Sequence, residues 1–177
     1  MTKFVCGIGM DEKSLSPDTH SAEEVVRLLG LEPLDQEGGF FRRTAASEVV
    51  RPGGGRRGWS VIYSLITPTG FSALHRLTGD EVWCFHAGDA LESLRLKPDG
   101  SGHWVKLGAN LSAGEQLQDV VRAHTWQGTR LVAGGRWALV SCVVVPEFKW
   151  EDFELGGREK LTAAYPAWAE DIRGLTR

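Results

Sequence analysis

From "GGFFRRT" to "WALVSCVVV", a stretch of more than a hundred residues, the chain shows no helical period. Its apolar residues come in short runs: "FFRRTAAS", "WSVIYSLIT", "FSALHRL", "EVWCFHA", "ALESLRLK", "HWVKLG", "DVVRAHTW", "TRLVAG" and "WALVSCVVV". Between them stand "RPGGGRRG", "TPTG", "TGD", "AGD", "PDGSG", "SAGE" and "AGGR", whose Gly, Pro and Asp residues favour turns. Eight or nine short strands at this pitch specify an all-β sandwich or barrel, because no crossover helices separate them. Helical signals occur only at the ends. In "SAEEVVRLLG", Ser21 and Glu24 fit a capping box, Val25, Val26, Leu28 and Leu29 form an apolar face, and Gly30 is a stop. The tail "EDFELGGREKLTAAYPAWAEDIRGLTR" returns to helix-forming composition, broken at Pro166. At 177 residues the chain suits one domain, expected over 20–177 after a flexible lead-in over 1–19.

Charge narrows the range of partners. With 20 basic and 23 acidic residues the net charge is −3, so bulk electrostatics give no reason to expect a nucleic acid polymer. No apolar run reaches the roughly 20 residues that span a bilayer, and "MTKFVCGIGMDEK" lacks the form of a signal peptide. Cys6, Cys84 and Cys142 make neither a CxxC pair nor an even disulfide set, which suits a reducing cytoplasm.

The chemistry-bearing stretch is "FSALHRLTGDEVWCFHAGD", residues 71–89. Side chains alternate faces along a strand, so Glu81, Trp83 and Phe85 share one face and Asp80, Val82, Cys84 and His86 the other. His75 shares a face with Phe71, Ala73 and Leu77. Pairing through "TGD" brings His75, Glu81 and the aromatics together as an apolar-walled pocket with converging polar groups. Asp80 reads as a turn acid, and Cys84 as a buried, inert thiol. Tyr63, Trp83, Phe85 and Trp126 suit either core or ligand-stacking positions. Glu37, beside two glycines, suits a binding loop or local amide capping. The loop holding Arg51, Arg56 and Arg57 has two readings, a phosphate cradle or a hairpin with solvated arginines.

The spacing resembles the first motif of the cupins, His-x-His, three or four residues, Glu, six residues, Gly; here it reads His75-Arg76-Leu77, Glu81 and Gly88. The second cupin motif, Pro-x-Gly-x-x-His, falls on Arg122-Ala123-His124-Thr125-Trp126-Gln127. Of the four metal-ligand positions, then, His75 and Glu81 keep ligand types, while Leu77 and Gln127 replace histidines. Over about residues 25–167 the chain resembles one subgroup, the small DUF985 (cupin-5) proteins, in "LGLEPLDQEGGFFRRT", "LGANLSAGEQLQDVVRAHTWQGTRL" and the segments between and after. It departs from that group at Leu34-Asp35-Gln36, where the group has a His-Pro pair before Glu-Gly-Gly, and at Arg122-Ala123-His124, where it has Pro-Ala-Gly. The resemblance implies a cupin-type jelly-roll barrel, a homodimer, and kinship with sugar-nucleotide epimerases and seed-storage proteins. It implies no particular reaction.

The leading expectation is a small-molecule-binding cupin in which His75 and Glu81 carry out acid/base chemistry of epimerase, isomerase or lyase type on a polar sugar-like or nucleotide-like metabolite. Glu37, Tyr63, Trp83, Phe85, His124 and Gln127 are the expected substrate-binding residues. No cofactor is favoured. A second reading has a divalent transition metal on His75, Glu81 and Gln127, although such an ion takes at least three good ligands. A third is a non-catalytic ligand-binding cupin.

Overall fold

A computed structural model describes residues 14–53 and 55–177. Among these residues the chain begins with a turn over 14–20, in which Leu15 packs on the core and the Pro17 carbonyl accepts from Arg136 at 3.0 Å. The rest of the expected lead-in, 1–13, and Cys6 lie outside the described residues. Helix α1 (Ala22–Leu29) starts on the expected capping box: the Glu24 N–H donates to Ser21 Oγ at 3.2 Å, and the Ser21 N–H to Glu24 Oε2 at 2.8 Å. Gly30 ends it in the left-handed conformation, φ 60°.

Eleven strands follow in the described chain: β1 (Glu32–Pro33), β2 (Phe40–Ala46), β3 (Ser60–Ile66), β4 (Ser72–Leu77), β5 (Asp80–Gly88), β6 (Leu91–Leu96), β7 (Gly102–Leu107), β8 (Gln118–Val121), β9 (Trp126–Leu131), β10 (Ala138–Val145) and β11 (Phe153–Leu155). They form two antiparallel sheets, ordered β1-β2-β3-β10-β5-β8 and β11-β4-β9-β6-β7. Helices α2 (Arg158–Ala164) and α3 (Ala169–Gly174) close the chain, interrupted at Pro166 as expected.

Strand alternation decides where the core sits. The inner faces of both sheets meet through Ile66, Trp83, Leu91, Leu107, Leu131 and Val140. The outer face of the five-stranded sheet, through Leu74, Leu94, Leu96 and Trp126, receives Leu161, Tyr165, Ile172 and Leu175 of the tail. The six-stranded sheet buries one end of its outer face, Leu65 and Leu139, under Val25 of α1 with Leu31 and Trp137. Each such apolar side chain contributes about 1.5–3 kcal/mol by leaving water. This is the expected jelly roll with helices at both ends.

Three local expectations are corrected. The run "DVVRAHTW" is not one strand: the chain turns at Arg122–Thr125, with His124 at φ 66°, and β9 begins at Trp126. The helix-forming tail contains a short strand, β11, which pairs with β4. Cys84 is half-buried, its sulfur accepting from Gln118 at 3.3 Å; the fully enclosed thiol is Cys142.

Candidate active site

Alternation on β4 turns Ala73, His75 and Leu77 inward, and on β5 Glu81 and Trp83. The β4–β9 pairing sets His75 opposite Gln127. The three polar side chains converge inside the barrel at 2 %, 6 % and 1 % exposure for His75, Glu81 and Gln127.

Their hydrogen bonds have one consistent assignment. An indole N–H can only donate, so the Trp83 Nε1–H, 3.1 Å from Gln127 Oε1, fixes which end of the amide is oxygen. The amide NH2 therefore faces the other two groups. It donates to Glu81 Oε2, and to His75 Nε2 at 3.2 Å. His75 Nδ1 donates to the Ala73 carbonyl at 2.8 Å, which leaves Nε2 as the acceptor of a neutral ring. Glu81 Oε2 accepts that amide bond, and the residue lines the adjoining cavity.

That cavity encloses about 60 Å³. Its polar wall is His75, Glu81, Glu37 and Ser60; Leu34, Ile62, Leu77 and Val144 supply the aliphatic part, with the Cys142 thiol, and Phe41, Phe148 and Trp150 the aromatic part. Glu37 accepts from Ser72 Oγ, and its Oε1 lies 3.8 Å from His75 Nδ1. Its loop approaches β4 so closely that a Cβ on Gly38, φ 114°, would meet the Phe71 carbonyl at 2.2 Å. The motif glycine Gly88 answers the same need, since a Cβ there would lie 2.3 Å from the Trp137 carbonyl.

Burial is the main force on the Glu81 carboxyl, pushing its pKa up; the neighbouring His75 works against that rise, and Glu37 adds to it. Burial likewise pushes the Cys142 thiol well up, so it stays protonated. Asp80 is the expected turn acid: it accepts from the Ala123 N–H at 2.9 Å and pairs with Arg122 at 2.8 Å, both lowering its pKa.

A strap over residues 147–153 closes one side. Phe153 stacks on His75 with ring centroids 5.1 Å apart, and Phe148, Trp150 and Phe153 pack edge to face. The Arg-rich loop holds this strap. Arg56 pairs with Asp152 and donates to the Glu147 carbonyl at 2.7 Å, while the Arg57 N–H and Arg43 Nη2 donate to the Glu147 carboxylate at 2.8 and 3.0 Å. Arg51 stays exposed. The loop is thus neither a phosphate cradle nor a fully solvated hairpin.

Of the sequence-selected residues, His75, Glu81, Gln127, Trp83 and Glu37 come together. Trp83 does so as the anchor of Gln127, without lining the cavity. Phe85 packs into the inner core beyond it. Tyr63 points to the outer face of β3, where its ring meets His86 edge on at 5.9 Å. His86 sits at a bulge opposite Leu139/Val140 and hydrogen-bonds Ser141 at 2.8 Å, also outside. His124 is exposed on its turn. Three expected binding residues therefore stand outside the cavity: Tyr63 by strand parity, His124 by the turn, and Phe85 by its place farther along β5 in the inner core. Sequence reasoning missed the strap aromatics, Phe41 and Cys142. It also missed Arg95, buried at 3 % exposure, which donates to Asp119 at 2.7 and 3.0 Å and to Ser93 at 2.5 Å. The inward parity of Leu91, Ser93 and Arg95 was the available signal. A larger open groove, of about 820 Å³, lies beside α1, but Arg136 and Trp137 there are already bonded to Asp18, Asp89 and the His20 carbonyl.

Residues 23–156 match the family model described as cupin superfamily (DUF985). The chain belongs to this family. Among solved structures this cupin is similar to protein SO0799 from Shewanella oneidensis, at 37 % identity and TM-score 0.82, covering 89 % of this chain and 98 % of that one. A hypothetical protein from Leishmania major is 32 % identical, with TM-score 0.81 and coverage of 89 % and 99 %. The oxalate decarboxylase of Bacillus subtilis, a protein with Mn(II) centres, shares the fold alone, at 12 % identity, TM-score 0.52 and coverage of 82 % and 37 %. No curated protein matches the sequence. Among the described residues no helix is long and apolar enough to cross a membrane.

A metal site of the cupin kind can be tested against these residues. Leu77 offers no lone pair, and Trp83 turns the Gln127 oxygen away, so hydrogen atoms of the amide occupy the lone pairs of His75 Nε2 and Glu81 Oε2. No three His, Cys, Asp or Glu side chains gather around one point among the described residues. The donor set does not fit a divalent ion.

Proposed function

We propose that this cupin is an acid/base enzyme of the epimerase, isomerase or lyase type, acting on a carbonyl-bearing molecule of a few heavy atoms in the barrel cavity. One observation carries the reading: a neutral His75 and a burial-raised Glu81 face the same enclosed space, joined by one amide. The His75 Nε2 lone pair accepts a proton from carbon next to the carbonyl, in place of the Gln127 hydrogen. Glu81, held as the acid by burial, gives its proton to the carbonyl oxygen, and the enol results. Reversal at the other face, or loss of a neighbouring group, completes the reaction. Leu77, Val144 and the strap aromatics exclude water from the enol. A volume of about 60 Å³ suits a molecule of triose size at most and is too small for a nucleotide.

The test is proton NMR in D2O on a panel of small aldoses, ketoses and keto compounds. Exchange of a carbon-bound hydrogen in at least one is expected with the wild-type protein. In Glu81→Gln and His75→Ala it should fall by about 10²–10⁴-fold while the melting transition persists. No exchange in any compound, or undiminished exchange in both variants, would reject the acid/base reading and leave a binding module.

A further inference from the structure

Resting on this acid/base reading, the charge of the cavity wall identifies the class of molecule it takes. The wall carries two carboxyl groups and one imidazole, and no lysine or arginine lines it. The nearby guanidinium groups are engaged elsewhere: Arg56 with Asp152, Arg43 with Glu147, Arg57 with the Ser47 carbonyl, Arg76 with Glu154, Arg95 with Asp119, and Arg177 with the Gln36 and Phe71 carbonyls and the Phe71 ring. An anion entering this space would meet the Glu37 carboxyl with no lysine or arginine in the lining to compensate it, in a largely enclosed space where solvent screens little. The remaining wall points the same way. Phe41, Phe148 and Trp150 line the cavity, and Phe153 stacks on His75 behind it. Aromatic faces attract cations, most strongly once water is removed. Glu81, more than nine-tenths buried, lines the cavity with its carboxyl group. Taking about 10–15 Å³ per water-sized centre, the cavity holds a ligand of roughly four to six heavy atoms.

We propose that the cavity selects a small organic cation, an amine with a neighbouring carbonyl, over neutral molecules and anions of the same size. Glu37, which accepts from Ser72 and lines the cavity, takes the ammonium group together with the faces of Phe148 and Trp150. His75 and Glu81 are left to the carbonyl end. Glu37 is thus the residue that sets specificity for charge.

Three probes of matched size separate the possibilities: aminoacetone (cationic), hydroxyacetone (neutral) and pyruvate (anionic). Binding is followed by NMR titration on the Gln127 side-chain amide and the Trp150 indole. Aminoacetone should bind tenfold or more tightly than hydroxyacetone, and pyruvate more weakly than either. In Glu37→Gln the preference for aminoacetone should fall to within about threefold, with hydroxyacetone affinity kept. Pyruvate binding as tightly as aminoacetone, equal affinity for the two uncharged and cationic probes, or binding by none of the three would overturn the proposal. The wild-type series decides the matter even where the variant fails to fold. Deuterium incorporation is read on the same samples. Charge-ordered binding without exchange upholds the ligand class and rejects the acid/base reading; exchange into pyruvate without cation preference does the reverse.

Discussion

At Gln127 the direction of a single amide decides what this barrel can do. Trp83 can only donate, so it claims the oxygen and turns the NH2 toward His75 and Glu81. A histidine at this position would present a lone pair to the same space. His124 makes a complementary point about the backbone. Its φ of 66° lies in the region that costs an L-residue about 1–2 kcal/mol, and the resembling family carries glycine there. The turn survives because Asp80 binds the Ala123 N–H and the His124 N–H donates to the Leu77 carbonyl at 2.8 Å. Replacing His124 by Gly removes that strain and adds back some unfolded-state entropy. We expect a net gain of about 0.5–1 kcal/mol in urea unfolding, with no change in ligand binding because the ring is exposed. A loss of stability would mean that the imidazole makes a contact of its own.

At the scale of elements, the strap over 147–153 joins the Arg-rich loop to the cavity. Arg56 and Asp152 pair at 21 % and 15 % side-chain exposure, between the surface and buried regimes. Thr78 donates to the other oxygen of Asp152 at 2.5 Å, tying the strap to the end of β4. Arg56→Ala should therefore cost about 1–3 kcal/mol, and Asp152→Ala a similar amount, with the double variant losing much less than the sum. Arg51→Ala, on an exposed side chain, should stay within about 0.5 kcal/mol. Additive losses from Arg56 and Asp152 in chemical unfolding would show that the pair does not act as a clasp.

Over the whole molecule, the strands and the central motif were legible because period-two alternation and Gly/Pro/Asp turns are local signals. His75, Glu81 and their shared face followed from parity alone. Closure of the cavity was not legible, since Phe148 and Trp150 lie between the last strand run and the helix-forming tail, in a segment without a period of its own, and are set in place as the chain returns to pair β11 with β4. Parity also says nothing of which sheet face is inner, which is why Tyr63 lies outside. One outer surface remains uncovered. Val61, Val82, Val120, Val143 and Val145 share the outer face of the six-stranded sheet, away from α1, and Val120 and Val145 are 47 % and 45 % exposed. We propose that a second copy of this chain covers it. Light scattering at micromolar concentration should give a dimer mass, and Val143→Lys a monomer; a wild-type monomer would contradict this.

The central claim is that Glu81 holds a proton inside the barrel when ordinary glutamates have lost theirs. Carbon-13 NMR of the side-chain carboxyls, with Glu81→Gln to assign the resonance, measures this directly. Burial predicts a Glu81 midpoint well above the usual value of about 4.3. A midpoint at or below that value would leave the site without its acid and contradict the account.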